Sequence, residues 1–186
     1  GETVTWITTI EKGKGTDTLG TIDDRTSDLM SLARVGERQV VTQYIPKPAT
    51  ILIIGGADIA IHLVQLADQL GFETILVDPR AVFMGTDRFP VLPTEFHTAW
   101  PQEIMPRLRL DARTYAVLLT HDPKIDDPAI ALLFNSDVTY IGALGGRKTQ
   151  EERRKRLIKK GHSQKNVDRI IGPVGLKIGA ATPAEI

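Results

Sequence analysis

Four short apolar runs, none alternating with polar residues, limit what this chain can fold into: residues 51–54, 74–77, 115–119 and 138–141. A strand that is apolar at successive positions is buried on both faces, the condition of a parallel sheet covered by helices. Segments of helical spacing separate the runs. Residues 58–70 place Ile59, Ala60, Leu63, Val64, Leu66, Ala67 and Leu70 on one face, with Gly71 as the stop. A further helix is entered at Pro101, another spans 127–134 and a long charged one spans 148–160, while a short extra strand is expected near 95–98. Parallel strand–helix–strand units cross over right-handed, so the expected fold is α/β, a Rossmann-like doubly wound parallel sheet in the order third-second-first-fourth-fifth.

Residues 1–48 read differently. Strands are expected at 3–10 and 38–45, a Gly/Lys turn at 11–16, a returning strand at 19–22 and one or two helical turns at 28–35. Pro46-Lys47-Pro48 stiffens the backbone, so the expected division is a small β-rich segment and linker over 1–48 and the Rossmann-like domain over 49–186.

In a doubly wound sheet the strand ends share one edge, and ligands bind in the crevice outside it. The ends here are Gly55-Gly56, Asp78-Pro79-Arg80, Thr120-His121-Asp122 and Gly142 through Arg147. Gly55-Gly56-Ala57-Asp58-Ile59-Ala60 stands where a dinucleotide fingerprint would, but Ala57 replaces the glycine that lets backbone approach a pyrophosphate. Asp58 is expected to cap the following helix. Asp78 sits where an acidic residue takes ribose hydroxyls, unless it pairs with Arg80, which itself suits a phosphate. Asp122 is expected to cap a helix or bond a ligand, and His121 with Asp122, Asp126 and Asp127 makes poor metal geometry. Gly142, Gly145, Gly146 and Arg147 form a second glycine-rich turn able to approach a phosphate. The basic stretch 147–160 reads as a solvated helix face or a dock for an acidic protein.

Composition narrows the chemistry. The 186 residues carry 23 Lys+Arg against 23 Asp+Glu and few aromatics, so neither a nucleic acid nor an anionic membrane is an expected partner. There is no cysteine, which removes disulfides, thiolate metal sites and persulfide chemistry from this chain and points to the cytoplasm. No apolar run approaches the ~20 residues that span a bilayer, and no signal-peptide pattern is present. The chain opens on Gly1 rather than Met and stops at Ile186 where a helix begins, which reads as a piece of a longer protein.

The ordered set of motifs resembles the C-terminal domain of the XdhC/CoxI family of molybdenum-hydroxylase maturation factors. The stretches concerned are 51–60, 70–72, 77–80, Arg88-Phe89-Pro90, 120–122, 140–147, 172–179 and 182–186. The resemblance implies a protein that binds molybdenum cofactor (molybdopterin) and delivers it to a xanthine-dehydrogenase-like apoenzyme. It also implies an accessory protein without its own turnover, with a separate cysteine desulfurase supplying sulfur. The cofactor would be held by Gly55, Gly56, Asp78, Arg80, Thr120, His121, Asp122, Gly142, Gly145, Gly146 and Arg147. Two departures stand out: the family's first loop usually reads Gly-Ala-Gly-His where this chain has Gly55-Gly56-Ala57-Asp58, and a Ser is usual at Gly146. Gly20-Thr21-Ile22 echoes the family's N-terminal domain, with Asp23-Asp24 in place of its glycines. The alternative is an NAD(P)-dependent oxidoreductase, argued from Asp78 and the fold, although no Tyr-x-x-x-Lys pair or proton relay is visible. A third is an interaction module that has lost its ligand. A homodimer is compatible with either of the first two.

Overall fold

The structure, a computed structural model, describes residues 4–11, 14–20, 30–35, 38–45 and 47–186. The chain divides into two compact units, Gly1–Pro48 and Ala49–Ile186.

The first unit is an antiparallel sheet of β1 (Val4–Glu11), β2 (Lys14–Gly20), β3 (Met30–Val35) and β4 (Arg38–Ile45), in the order β2-β1-β4-β3. The helical turns expected at 28–35 are replaced by β3, whose residues pair from Met30↔Gln43 to Val35↔Arg38. Local helix propensity there yields to a partner strand that offers a full ladder of backbone bonds. The expected turn at 11–16 is shorter, because β2 already starts at Lys14. Thr21, Ile22, Asp23, Asp24, Asp28 and Pro46 lie outside the described residues.

The second unit is a six-stranded, wholly parallel sheet. Its strands are β5 (Thr50–Ile54), β6 (Glu73–Val77), β7 (Glu95–His97), β8 (Thr114–Leu118), β9 (Tyr140–Ala143) and β10 (Ile170–Ile171). The order is β10-β9-β8-β5-β6-β7, which contains the expected five-strand order and adds β10 beyond β9. The first strand is central and the chain turns outward on either side of it, so the topological switch point falls between β5 and β8.

Both sheet faces are covered. On one face Leu52, Ile54, Ala116, Leu118 and Ile141 pack with Ile125, Ala129, Ile130 and Leu133 of α3 (Pro123–Phe134) and Leu157 of α4 (Arg147–Lys159). On the other, Ile53 and Leu76 meet Ala60 and Val64 of α1 (Asp58–Gln69), with Met84 and Phe89 beside them. Each fully buried aliphatic side chain here stabilises the fold by about 1.5–3 kcal/mol. The apolar face expected for α1 is narrower than its spacing suggests: Leu66 and Leu70 are exposed, and Ala60, Val64 and Ala67 alone are fully buried. The helix expected at Pro101 is a single turn, α2 (Pro101–Ile104), continued by a tighter 3-10 turn (Met105–Arg107). None of the described helices is long and apolar enough to cross a membrane.

Candidate functional site

Parallel strands deliver Gly55, Asp78, Thr120 and the 144–147 turn to one edge. The loops there are laced together by backbone bonds: Gly55 N–H donates to Val77, Leu119 N–H to Ile54 and Leu144 N–H to Leu118, at 2.9, 2.8 and 2.9 Å. Gly55 leaves β5 at φ +111°, where a Cβ would lie 2.7 Å from Thr120 Cγ2. Only glycine fits a turn pressed this closely against the end of β8.

Asp78 is fully buried and completely engaged. Gly56 N–H (2.8 Å) and Arg80 Nη2 (2.7 Å) donate to Oδ2, while Arg80 N–H and Nε (both 2.9 Å) donate to Oδ1. Burial alone would push this carboxyl up; the Arg80 side chain and the Gly56 and Arg80 N–H groups outweigh it and hold it below the usual value. The Asp78 bond, aided by the fields of Asp122 and Asp126, keeps Arg80 firmly protonated.

Between β6 and β7 two 3-10 turns, Ala81–Phe83 and Thr86–Arg88, form a strap over the first glycine turn. Arg88 Nη1 donates to both Gly56 O and Phe83 O at 2.8 Å, and its Nη2 to Asp58 Oδ1 at 2.9 Å. Asp58 therefore does not cap α1. The N-cap is Ala57, no side chain caps it, and Asp58 in the first turn is 71% exposed against Arg88.

At the β8 end, Asp122 is the expected cap: its Oδ1 accepts Lys124 N–H at 2.9 Å. His121 is exposed. Asp126 and Asp127 are turned inward. Asp126 accepts the Thr120 hydroxyl and Arg153 Nη2 (2.9 Å), and Arg153 reaches Gln150 Oε1 (2.5 Å) and Leu144 O (3.2 Å). Gln150 Nε2 in turn donates to Ala143, Leu144 and Gly145 carbonyls at 2.9, 3.2 and 3.0 Å. This buried chain of bonds shapes the 142–146 turn from below. Burial raises the Asp126 carboxyl above its ordinary value despite Thr120 and Arg153. Asp127 is bound by Arg156 (3.1 Å) and Lys160 (2.8 Å), whose bonds outweigh burial and hold it low. Among the described residues no group of three or more His, Asp or Glu stands close enough to hold a metal ion.

The basic stretch is thus not simply a solvated face. Arg153 is only 1% exposed, within the range of the core aliphatics, on the row of α4 that also carries Gln150 and Leu157. The spacing with Leu157 was the available signal, and a charged residue on that row calls for a buried counter-ion. Phe83, Arg88, Gln150 and Arg153 are the site-shaping residues that sequence reasoning missed. Gly142 is buried and Gly56 and Thr120 line the interior, whereas Gly146 and Arg147 are exposed. No side chain caps α4, and the Gly146 Cα faces open space.

The Asp127 and Asp78 shifts set an acid-stability expectation. Both carboxyls are depressed below 3.8, so their contribution is complete above about pH 4 and lost as pH falls through the folded values. Asp127→Asn is expected to lower the neutral-pH unfolding midpoint and flatten the decline below pH 4, read from urea titrations between pH 6 and 3. An unchanged acid limb would remove Asp127 from this account.

Comparison with known proteins supplies the lineage. The family model described as the XdhC Rossmann domain matches residues 51–186. A probable xanthine dehydrogenase subunit of Bacillus subtilis (strain 168) is 35% identical over 141 residues, covering 76% of this chain and 40% of that protein. The uncharacterized protein YqeB of Escherichia coli (strain K12) is 25% identical over 136 residues, 73% of this chain and 25% of that one. This chain therefore spans less than half the length of either curated relative. A crystal structure of a xanthine dehydrogenase from Bacillus halodurans shares the fold, with a TM-score of 0.75 at 20% identity over 100% of this chain and 58% of that one. A wholly parallel sheet with glycine turns at its first and fifth strand ends, and a family model running from Ile51 to Ile186, together establish that this chain belongs to the XdhC family, with residues 51–186 as its Rossmann domain.

Proposed function

We propose that this protein binds molybdenum cofactor at the strand-end crevice and passes it to a xanthine-dehydrogenase-like molybdenum hydroxylase. The observation that carries the reading is the open α4 entrance, Gly145-Gly146-Arg147, within an XdhC Rossmann domain. The cofactor is cargo here, an anionic phosphorylated pterin. Its phosphate suits the uncapped N–H groups and positive dipole end of α4, with the exposed Arg147 guanidinium adding charge. In this reading His121, Asp122 and the open edge of Arg80 contact polar pterin atoms. Buried Gly55, Gly56, Asp78, Thr120, Gly142 and half-buried Gly145 shape the floor instead of touching cargo through free side-chain donors. With no cysteine in the chain, sulfur for the metal comes from a separate desulfurase, and the partner enzyme performs the turnover.

The test is retention of pterin and molybdenum by the purified protein after gel filtration, followed by activation of an apo-hydroxylase. A charge-assisted hydrogen bond contributes roughly 1.5–3 kcal/mol, so Arg147→Ala is expected to weaken retention by about one to two decades. Its thermal midpoint stays near that of the parent, because no side-chain partner holds Arg147 in the fold. A parent protein that retains neither pterin nor molybdenum overturns the reading.

A further inference from the structure

The half of the crevice where a doubly wound fold takes a nucleotide is filled by the chain itself. Two groups normally serve there: the first glycine turn for the pyrophosphate and the acidic residue after the second strand for the ribose. Both are spent internally. Four donors converge on the two Asp78 oxygens, which uses the four lone-pair positions a carboxylate has in its plane. A ribose hydroxyl would have to displace one of them.

The approach to the turn is closed as well. A Cβ at Gly56 would lie 2.8 Å from the Phe83 carbonyl oxygen and 3.1 Å from Met84 Sδ, so the close approach that glycine permits is made by the strap. Arg88 staples the strap down by bridging Gly56 O and Phe83 O. The Phe83 ring also meets two guanidinium groups, Arg80 at 4.4 Å and Arg88 at 5.5 Å from its centroid, which fastens the strap to the Asp78–Arg80 clamp. At the α1 N-terminus, where a pyrophosphate would sit, Arg88 is already paired with the Asp58 carboxylate, so its guanidinium is not free for a phosphate.

We propose that the strap of Phe83 and Arg88, with the Asp78–Arg80 clamp, is a specificity device: it closes the first glycine turn to a nucleoside diphosphate and so excludes NAD(P) from this half of the crevice. The exclusion rests on the strap alone and not on the function proposed above. The experiment measures CDP and NAD binding by calorimetry on the parent, Arg88→Ala and Phe83→Ala. For the parent, the expected result is no CDP or NAD binding below millimolar concentration. Arg88→Ala unpins the strap and gains measurable CDP binding. Phe83→Ala gives the same direction of change should Arg88→Ala fold poorly, judged by its thermal midpoint. Micromolar CDP or NAD binding to the parent, or folded strap variants with no gain for CDP, would each overturn the device.

Discussion

Arg153→Ala is expected to destabilise the domain by about 3–5 kcal/mol, read as a shift in the urea or guanidinium midpoint. The mutation leaves the Asp126 carboxylate buried without the guanidinium that stood 2.9 Å away, and removes the donors at Leu144 O. Gln150 Oε1 loses its guanidinium donor in the same event, while its Nε2 keeps its carbonyl partners. The pair's cost can be separated from its bonds: Asp126→Leu with Arg153→Met removes both charges, and such replacements often restore stability. The double variant is therefore expected to be more stable than Arg153→Ala alone. An Arg153→Ala protein within about 1 kcal/mol of the parent would show that this ion pair does not hold the β8 and β9 ends together.

Gly55→Ala follows closely in size. The residue sits at φ +111°, and its new methyl would lie 2.7 Å from Thr120 Cγ2 and 3.1 Å from Thr120 N. Backbone strain and overpacking together are expected to cost about 2–5 kcal/mol. Gly146→Ala is the matched control, since that position has an ordinary φ of −68° and nothing within reach of a Cβ. It is expected to change stability by less than about 1 kcal/mol. Equal effects at the two glycines would mean that the first turn is free to move away from Thr120.

The parallel sheet was legible because its strands are apolar on consecutive residues, and Ile51 through Ile54 is the plainest case. The edge strand β10 was not, since two residues, Ile170 and Ile171, carry no periodicity. The expected helix at 28–35 was misread for the opposite reason: six residues alone do not reveal a partner strand, and β4 decides their state. Within the site, a cap was one of two readings open for Asp122, and it was within reach because capping is local: the carboxylate accepts an N–H two residues on. Asp58 could not, because its partner Arg88 lies thirty residues on, across a loop with no regular pattern. Asp126 and Asp127, which beside His121 read only as a poor metal set, are turned by helix α3 toward cations of α4. Sequence spacing shows which residues share a helix face, and not what the neighbouring helix presents to it.

The placement of β5 at the centre of the sheet also dictates how the domain must come together as it is made. Thr50 pairs with Glu73 on one side, but on the other it waits for Thr114. At about 5–20 residues per second the second partner leaves the ribosome roughly three to thirteen seconds after the first strand. During that interval an apolar strand, Ile51 through Ile54, has one row of backbone donors and acceptors open to any passing chain. Nascent chains stalled between β6 and β8 are therefore the stage most exposed to aggregation and most in need of a holding chaperone.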